Sequence, residues 1–223
     1  MSFDKRITIT LEQLQSIGVL DAPQAIKNMD LLQAELGPDG FHGLLQAMLS
    51  ELSMAADPDL ALNNLERFAG SLRDVSNFVS LCLLRHDILR SLLTIFGASR
   101  FLSTFLVTAA EENLVSLGVS DYLDHSAGQE AMTRRLASLV AKERDDAGFY
   151  RALRVFRKQE MLRIGLRDLL AKADLQEIVG ELSDLAEVCL QQAYDRADAD
   201  LAKRYGRPVN ERPDGTVDLA GRT

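Results

Sequence analysis

The sequence has no tryptophan, only two cysteines and five prolines, and an aromatic content of 6%. Each scarcity excludes something. Cys82 and Cys189 each lie in an apolar helical run with no second ligand at metal spacing. A disulfide framework and a zinc site are therefore set aside, and reduced thiols in a cytoplasmic setting are expected. No run of about eighteen uncharged apolar residues occurs. The opening MSFDKRITITLEQLQ lacks the apolar centre of a signal peptide. Neither membrane insertion nor export is expected. Basic residues are outnumbered, 25 against 33 acidic, and the net charge of -8 would repel a phosphate backbone. Direct nucleic-acid binding is disfavoured.

What remains is a chain of 223 residues, 47% hydrophobic, long enough to bury a core without metal or disulfide staples. Leu and Ala dominate and β-branched residues are sparse, which favours helix. The expected fold is all-α: a multi-helix array or bundle with two long helices, ending in an irregular tail. Strand-period alternation, internal repeats and low-complexity tracts are missing.

Helix punctuation divides the chain. Residues 1–56 read as a region of short helices at 11–17, 23–36 and 41–54, separated by breakers. Asp57-Pro58 is a cap followed by proline at the first helical position. The apolar residues Leu62, Leu65, Phe68, Leu72, Val75, Phe78, Val79 and Cys82 then recur at spacings of three and four, predicting one long helix through Leu84. Shorter helices follow at 88–96, 101–107, 111–117 and 129–144, and another starts at Asp145-Asp146. Asp174 with Glu177 reads as an Asp form of the capping box, opening a last helix that stops at Gly206 and serves as the spine of the bundle. The domains expected are thus 1–56, 57–206 and a linker tail, 207–223.

Chemical motifs are few. Gly37-Pro-Asp-Gly-Phe-His-Gly43 lacks the lysine, hydroxyl and preceding strand of a phosphate loop, and reads as a turn between helices. His42, His86 and His125 stand far apart and read as surface residues. No serine lies in a G-x-S-x-G elbow. The carboxylate pairs Asp57/Asp59, Asp145/Asp146 and Asp198/Asp200 could hold Mg²⁺, but the first two sit at helix starts and the third on a polar face.

The stretch FRKQEMLRIGLRDLL, residues 156–170, is less ordinary. Arg157, Glu160, Arg163 and Arg167 cluster on one side of a helix, yet Phe156 and Ile164 lie among them. A helix apolar almost all round should be largely enclosed, and enclosed charge must be paired. Glu160 has Arg157 and Arg163 three residues away on either side. A structural Arg-Glu-Arg network between helices is expected, with an anionic ligand or a partner face as the functional counterpart.

Four segments in order carry a resemblance. These are Ala61-Leu-Asn-Asn-Leu-Glu-Arg-Phe68, Gly97-Ala-Ser-Arg-Phe-Leu-Ser-Thr-Phe105, Leu153-Arg-Val-Phe-Arg-Lys-Gln-Glu-Met-Leu-Arg-Ile-Gly-Leu-Arg-Asp168, and Glu181-Leu-Ser-Asp-Leu-Ala186 with Arg204-Tyr-Gly-Arg-Pro208. Over roughly residues 58–208 the chain resembles the helical lead-in of the N-terminal half of bacterial bifunctional glutamine synthetase adenylyltransferase/adenylyl-removing enzymes. The resemblance implies a nucleotidyltransferase that regulates glutamine synthetase by reversible adenylylation of a tyrosine. It also implies Mg²⁺ and ATP or AMP in the parent enzyme, and glutamine synthetase, the PII nitrogen-signalling protein and a nucleotidyltransferase domain as partners.

That family's glycine-rich G-K-L-G-G segment and S-D-x-D carboxylate pair do not occur in these 223 residues. No catalytic, cofactor-binding or metal residue carries over. The expectation is a helical scaffold, inactive alone and binding no cofactor alone, whose catalytic core lies in further polypeptide. Uncovered apolar surface, and hence self-association, should follow. A stand-alone helical interaction module without catalysis is the alternative.

Overall fold

A computed structural model describes residues 9–118, 123–207, 209–211 and 217–219. Residues 1–8 of the region expected over 1–56, residues 119–122 between the helices expected at 111–117 and 129–144, and parts of the tail expected over 207–223 lie outside them. Among the described residues the secondary structure is helical apart from one small hairpin. They are α1 (Leu11–Ser16), α2 (Ala22–Ser53), α3 (Pro58–Ser71), α4 (Val75–Leu84), α5 (His86–Ala98), α6 (Arg100–Thr108), α7 (Ala110–Gly118), α8 (Gly128–Val140), α9 (Asp146–Leu169) and α10 (Leu175–Tyr205). Strands β1 (Val209–Glu211) and β2 (Val217–Leu219) pair antiparallel, with Val209 opposite Leu219. The tail, expected to be irregular, thus contains a hairpin of two three-residue strands, too short to leave a periodic signal.

The breakers act as the sequence predicts in most places. Thr10 and Gln13 form a reciprocal capping box on α1, and the Asp57 and Ser99 side chains accept the Leu60 and Leu102 N–H groups. In α2 the backbone leaves helical geometry at Gly37 (φ 73°, ψ 160°), next to Pro38. Positive φ suits glycine, and proline disfavours helical geometry in the residue before it. The expected pair of helices is thus present within α2, its two parts separated by the non-helical Gly37. Just beyond, a Cβ on Gly40 would come within 3.2 Å of the Val79 methyl groups, so the glycine cluster allows α4 to approach.

The helix expected over 57–84 is two helices. Leu72 turns extended (ψ 139°), and Asp74 caps α4 through the Asn77 N–H at 2.9 Å. Glu111 of α7 accepts the N–H groups of Arg73 at 2.6 Å and Asp74 at 3.3 Å. The freed backbone donors at the break are satisfied by a carboxylate distant in sequence, so the break leaves none of these donors unsatisfied.

The chain forms two compact units: Met1–Ser126 with Met161–Ile178, and Ala127–Glu160 with Val179–Thr223. In the first, α1 to α7 and the last turns of α9 share one core. Leu14, Met29, Leu32, Phe41, Met48 and Leu52 pack there with Leu62, Phe68, Phe96, Leu162 and Leu166. Phe68 is a pivot, its ring 5.8 Å from Phe78 edge-on and 5.6 Å from Phe96. Buried Asn64 donates to the Phe96 carbonyl at 3.0 Å, fixing α3 against the end of α5. In the second unit α8, most of α9 and most of α10 bury Met132, Leu136, Phe149, Phe156, Leu185 and Val188.

Candidate functional site

Helix α9 carries the four singled-out residues, and its start is capped by Asp145, whose Oδ1 accepts the Gly148 N–H at 2.7 Å. Arg157 and Glu160 belong to the second unit, Arg163 and Arg167 to the first. Arg157 is exposed; Glu160, Arg163 and Arg167 are 0%, 2% and 1% exposed. Enclosure is therefore partial. Val155 and Leu169 on the same helix are exposed too.

In the second unit the buried Glu160 carboxylate accepts from Nη1 of Arg135 on α8. The Arg135 guanidinium lies 5.8 Å from the centroid of the Phe156 ring, one helical turn before Glu160. The cation thus meets an aromatic face and a carboxylate together, both favourable to a partly desolvated guanidinium. In the same unit Glu181 of α10, 2% exposed, accepts the Ala127 N–H at 3.1 Å and so tethers the approach to α8.

In the first unit Arg163 donates to the His125 carbonyl at 3.4 Å. Arg167 directs Nη1 and Nη2 to Glu177 Oε1 at 3.1 and 2.5 Å. Asp174 caps α10 as expected, accepting the Glu177 N–H at 2.8 Å. The Glu177 carboxylate, however, turns to Arg167 instead of closing a capping box.

Sequence reasoning missed Arg135, Glu181 and the long-range role of Glu177. Only Arg135 left a trace, since it falls beside Met132 and Leu136, the buried residues of α8.

The acids read as possible metal ligands are engaged elsewhere. Asp57 and Asp145 are caps. Asp59 accepts the Leu20 and Asp21 N–H groups at 2.8 and 3.0 Å. Arg196 pairs with Asp146 and, at 3.1 Å, with Asp200, while its guanidinium lies 5.3 Å from the Phe149 ring centroid. Among the described residues no group of three or more His, Cys, Asp or Glu is placed to hold a metal ion. The three histidines are exposed.

A cleft of about 250 Å³ in the first unit is lined by Arg85, Asp87, Arg90, Asp124 and Lys172. Its charges are matched: Arg85 to Asp87 at 2.7 Å, Lys172 to Asp124 at 2.8 Å, and Arg90 to Glu51 at 3.2 Å. The hydrogen bond from Arg85 holds the Asp87 carboxyl below its ordinary range, and that from Lys172 does the same for Asp124. Both thiols are pushed up by burial, that of Cys82 to about 12. No helix among the described residues is long and apolar enough to cross a membrane.

The described residues thus define a helical protein, with one small hairpin, whose buried ionisable groups tie helices together. Comparison with known proteins gives that class a family. The model of glutamate-ammonia ligase adenylyltransferase matches residues 89–220, more than half of the chain, and the chain belongs to that family. The bifunctional glutamine synthetase adenylyltransferase/adenylyl-removing enzyme of Thioalkalivibrio sulfidiphilus is 42% identical over 77 residues, covering 34% of this chain and 8% of the relative. That of Psychromonas ingrahamii is 30% identical over 152 residues, 68% of this chain and 15% of the relative. That of Mycobacterium marinum is 27% identical over 206 residues, 88% and 20%. The chain therefore spans a fifth or less of the length of these relatives. No solved structure matches it at a significant level.

Proposed function

We propose that this chain is the helical part that precedes and supports a nucleotidyltransferase core in the N-terminal half of a glutamine synthetase adenylyltransferase/adenylyl-removing enzyme. The observation that carries the reading is the family match across residues 89–220, together with alignments that reach only a small share of each relative. The parent reaction transfers an adenylyl group to or from a tyrosine hydroxyl of glutamine synthetase, with orthophosphate attacking in the removal direction. Mg²⁺ and the nucleotide belong to the core, and residues 207–223 are the connection to it. The setting is cytoplasmic, and glutamine synthetase and the PII protein are the partners.

Interhelical pairs such as exposed Arg135 with buried Glu160 support a scaffold role, since they fix helices without offering a reacting group. The alternative, an interaction module without chemistry, is favoured by the exposed apolar face of α10.

The test is to mix the purified chain with adenylylated glutamine synthetase, Mg²⁺ and phosphate, and to follow ADP release. The chain alone should release none. Joined ahead of the family's first nucleotidyltransferase unit, it should raise that unit's rate on glutamine synthetase. ADP release by the chain alone, or a joined protein no faster than the bare unit, overturns the reading.

A further inference from the structure

The outer face of α9 is basic, in a chain whose net charge is -8. Over its middle turns Tyr150, Arg151, Arg154, Val155, Arg157 and Lys158 are exposed, whereas Phe149, Phe156 and Glu160 are buried. At 100° per residue the exposed side chains share one arc of about 160°. Most of them are cations, and no acid occurs from 147 to 159.

The carboxylates that flank this stretch are committed elsewhere. Glu160 accepts from Arg135, and Asp146 pairs with Arg196. Glu143 reaches Arg151 only at 3.5 Å. Among the described residues Arg154 and Arg157 have no ion pair and no side-chain hydrogen bond. Arg151 and Arg157 stand three residues before and after Arg154, and Lys158 stands four after, so the helical neighbours of Arg154 repel it. At Arg154 and Arg157 no ion pair among the described residues offsets that repulsion.

We propose that this arc docks an acidic segment of a partner protein. Two guanidinium forks one helical turn apart suit two carboxylates, each of which accepts a pair of N–H groups. Tyr150 falls between Arg154 and Arg157 on the arc, with Val155 at its edge, so apolar contact accompanies the charge. Tyrosine and arginine are also the residues that dominate interface energies. The partner segment is short: from Arg151 to Lys158 the helix rises about 10 Å. Beyond that footprint the acidic chain repels an extended polyanion, which favours a local protein segment over nucleic acid or an anionic membrane. The inference does not rest on the adenylylation reading.

The test uses the full chain and a short fluorescein-labelled peptide rich in glutamate with one central leucine, followed by anisotropy. The peptide should bind at low salt and weaken as salt rises. Arg154→Gln/Arg157→Gln should weaken it about tenfold or more, with a urea midpoint no lower than the parent's, because like-charge neighbours are removed. Arg90→Gln/Arg134→Gln removes as much charge from arginines already paired with Glu51 and Glu130, and should change binding little. No binding, equal loss in the two double variants, or a lowered midpoint in Arg154→Gln/Arg157→Gln overturns the proposal. Tighter binding of a short DNA duplex or of phosphatidylserine vesicles, lost in that same variant, overturns it too, since the arc then serves a different class of partner.

Discussion

Arg167, 1% exposed, reaches Glu177 Oε1 with two nitrogens at 3.1 and 2.5 Å, joining the last turn of α9 to the first turn of α10. The cation is enclosed, while the Glu177 side chain keeps 40% of its exposure. The two partners are therefore unequal: losing the carboxylate leaves a buried charge less compensated, whereas losing the arginine leaves an acid that water can reach. Glu177→Ala should cost about 2 kcal/mol, between the values of exposed and fully buried pairs. The Arg167→Met/Glu177→Ala double variant should cost less than the sum of the singles. Urea midpoints of the four proteins measure the coupling.

Glu160 and Arg157 stand three residues apart on α9 but should differ sharply. Glu160→Ala removes a fully buried acceptor of Arg135 and should lower stability by about 3 kcal/mol; Arg135, 45% exposed, can turn partly to water and hold the loss to the low end for buried pairs. Arg157→Ala, at an exposed position, should stay within about 0.5 kcal/mol of the parent. Equal urea midpoints for the two variants would contradict the burial assigned to Glu160.

Ala171 follows the end of α9 at φ 51°, with the Lys172 N–H bonded to the Arg167 carbonyl at 2.7 Å and the Ala171 N–H to the Asp168 carbonyl at 3.0 Å. This is the left-handed helix ending that glycine adopts without steric cost. Ala171→Gly should raise stability by about 1 kcal/mol, shifting the melting temperature by about 2–4 °C for a chain of this size.

The Cys82 thiol is pushed from 9.0 to about 12, chiefly by burial and then by Asp87. A folded-state value above the unfolded one favours the protonated fold. Its contribution is complete below about pH 9 and is lost as pH rises from 9 towards 12. Unfolding free energy should fall over that interval, and less steeply in Cys82→Ala. At pH 8 a thiol reagent should modify half-buried Cys189 first and reach Cys82 only after unfolding.

At the acid end, Asp87 and Asp124 are held below 3.8 by Arg85 and Lys172. Depressed carboxylates contribute stability above their unfolded value and lose it as pH falls through the folded one. Below about pH 4, Asp124→Asn should lose stability less steeply than the parent. Salt should narrow the difference, because the Asp124 and Lys172 side chains are nearly half exposed. Titrated urea midpoints at low and high salt test both statements.

Most helices were legible because their ends are marked locally: Asp57 and Ser99 cap, and Gly37-Pro38 interrupts. The break after Ser71 was not, because the apolar spacing runs on through Leu72, Val75 and Phe78 while the carboxylate that stabilises the break, Glu111, is remote in sequence. The charges on α9 were legible as buried groups needing partners. Arg135 and Glu177 were not legible as partners, since only tertiary packing brings these side chains close. Glu177 was also masked by a local motif, its capping position suggesting a backbone bond where the fold supplies a guanidinium.

The bend at Gly37 gives α2 a second amino-terminal turn in mid-course. Amides just past Pro38 have weakened claims on the carbonyls of the preceding turn, so deuterium should enter there ahead of the segments on either side. The apparent single rod of α2 is, in exchange, two protected stretches with a porous joint.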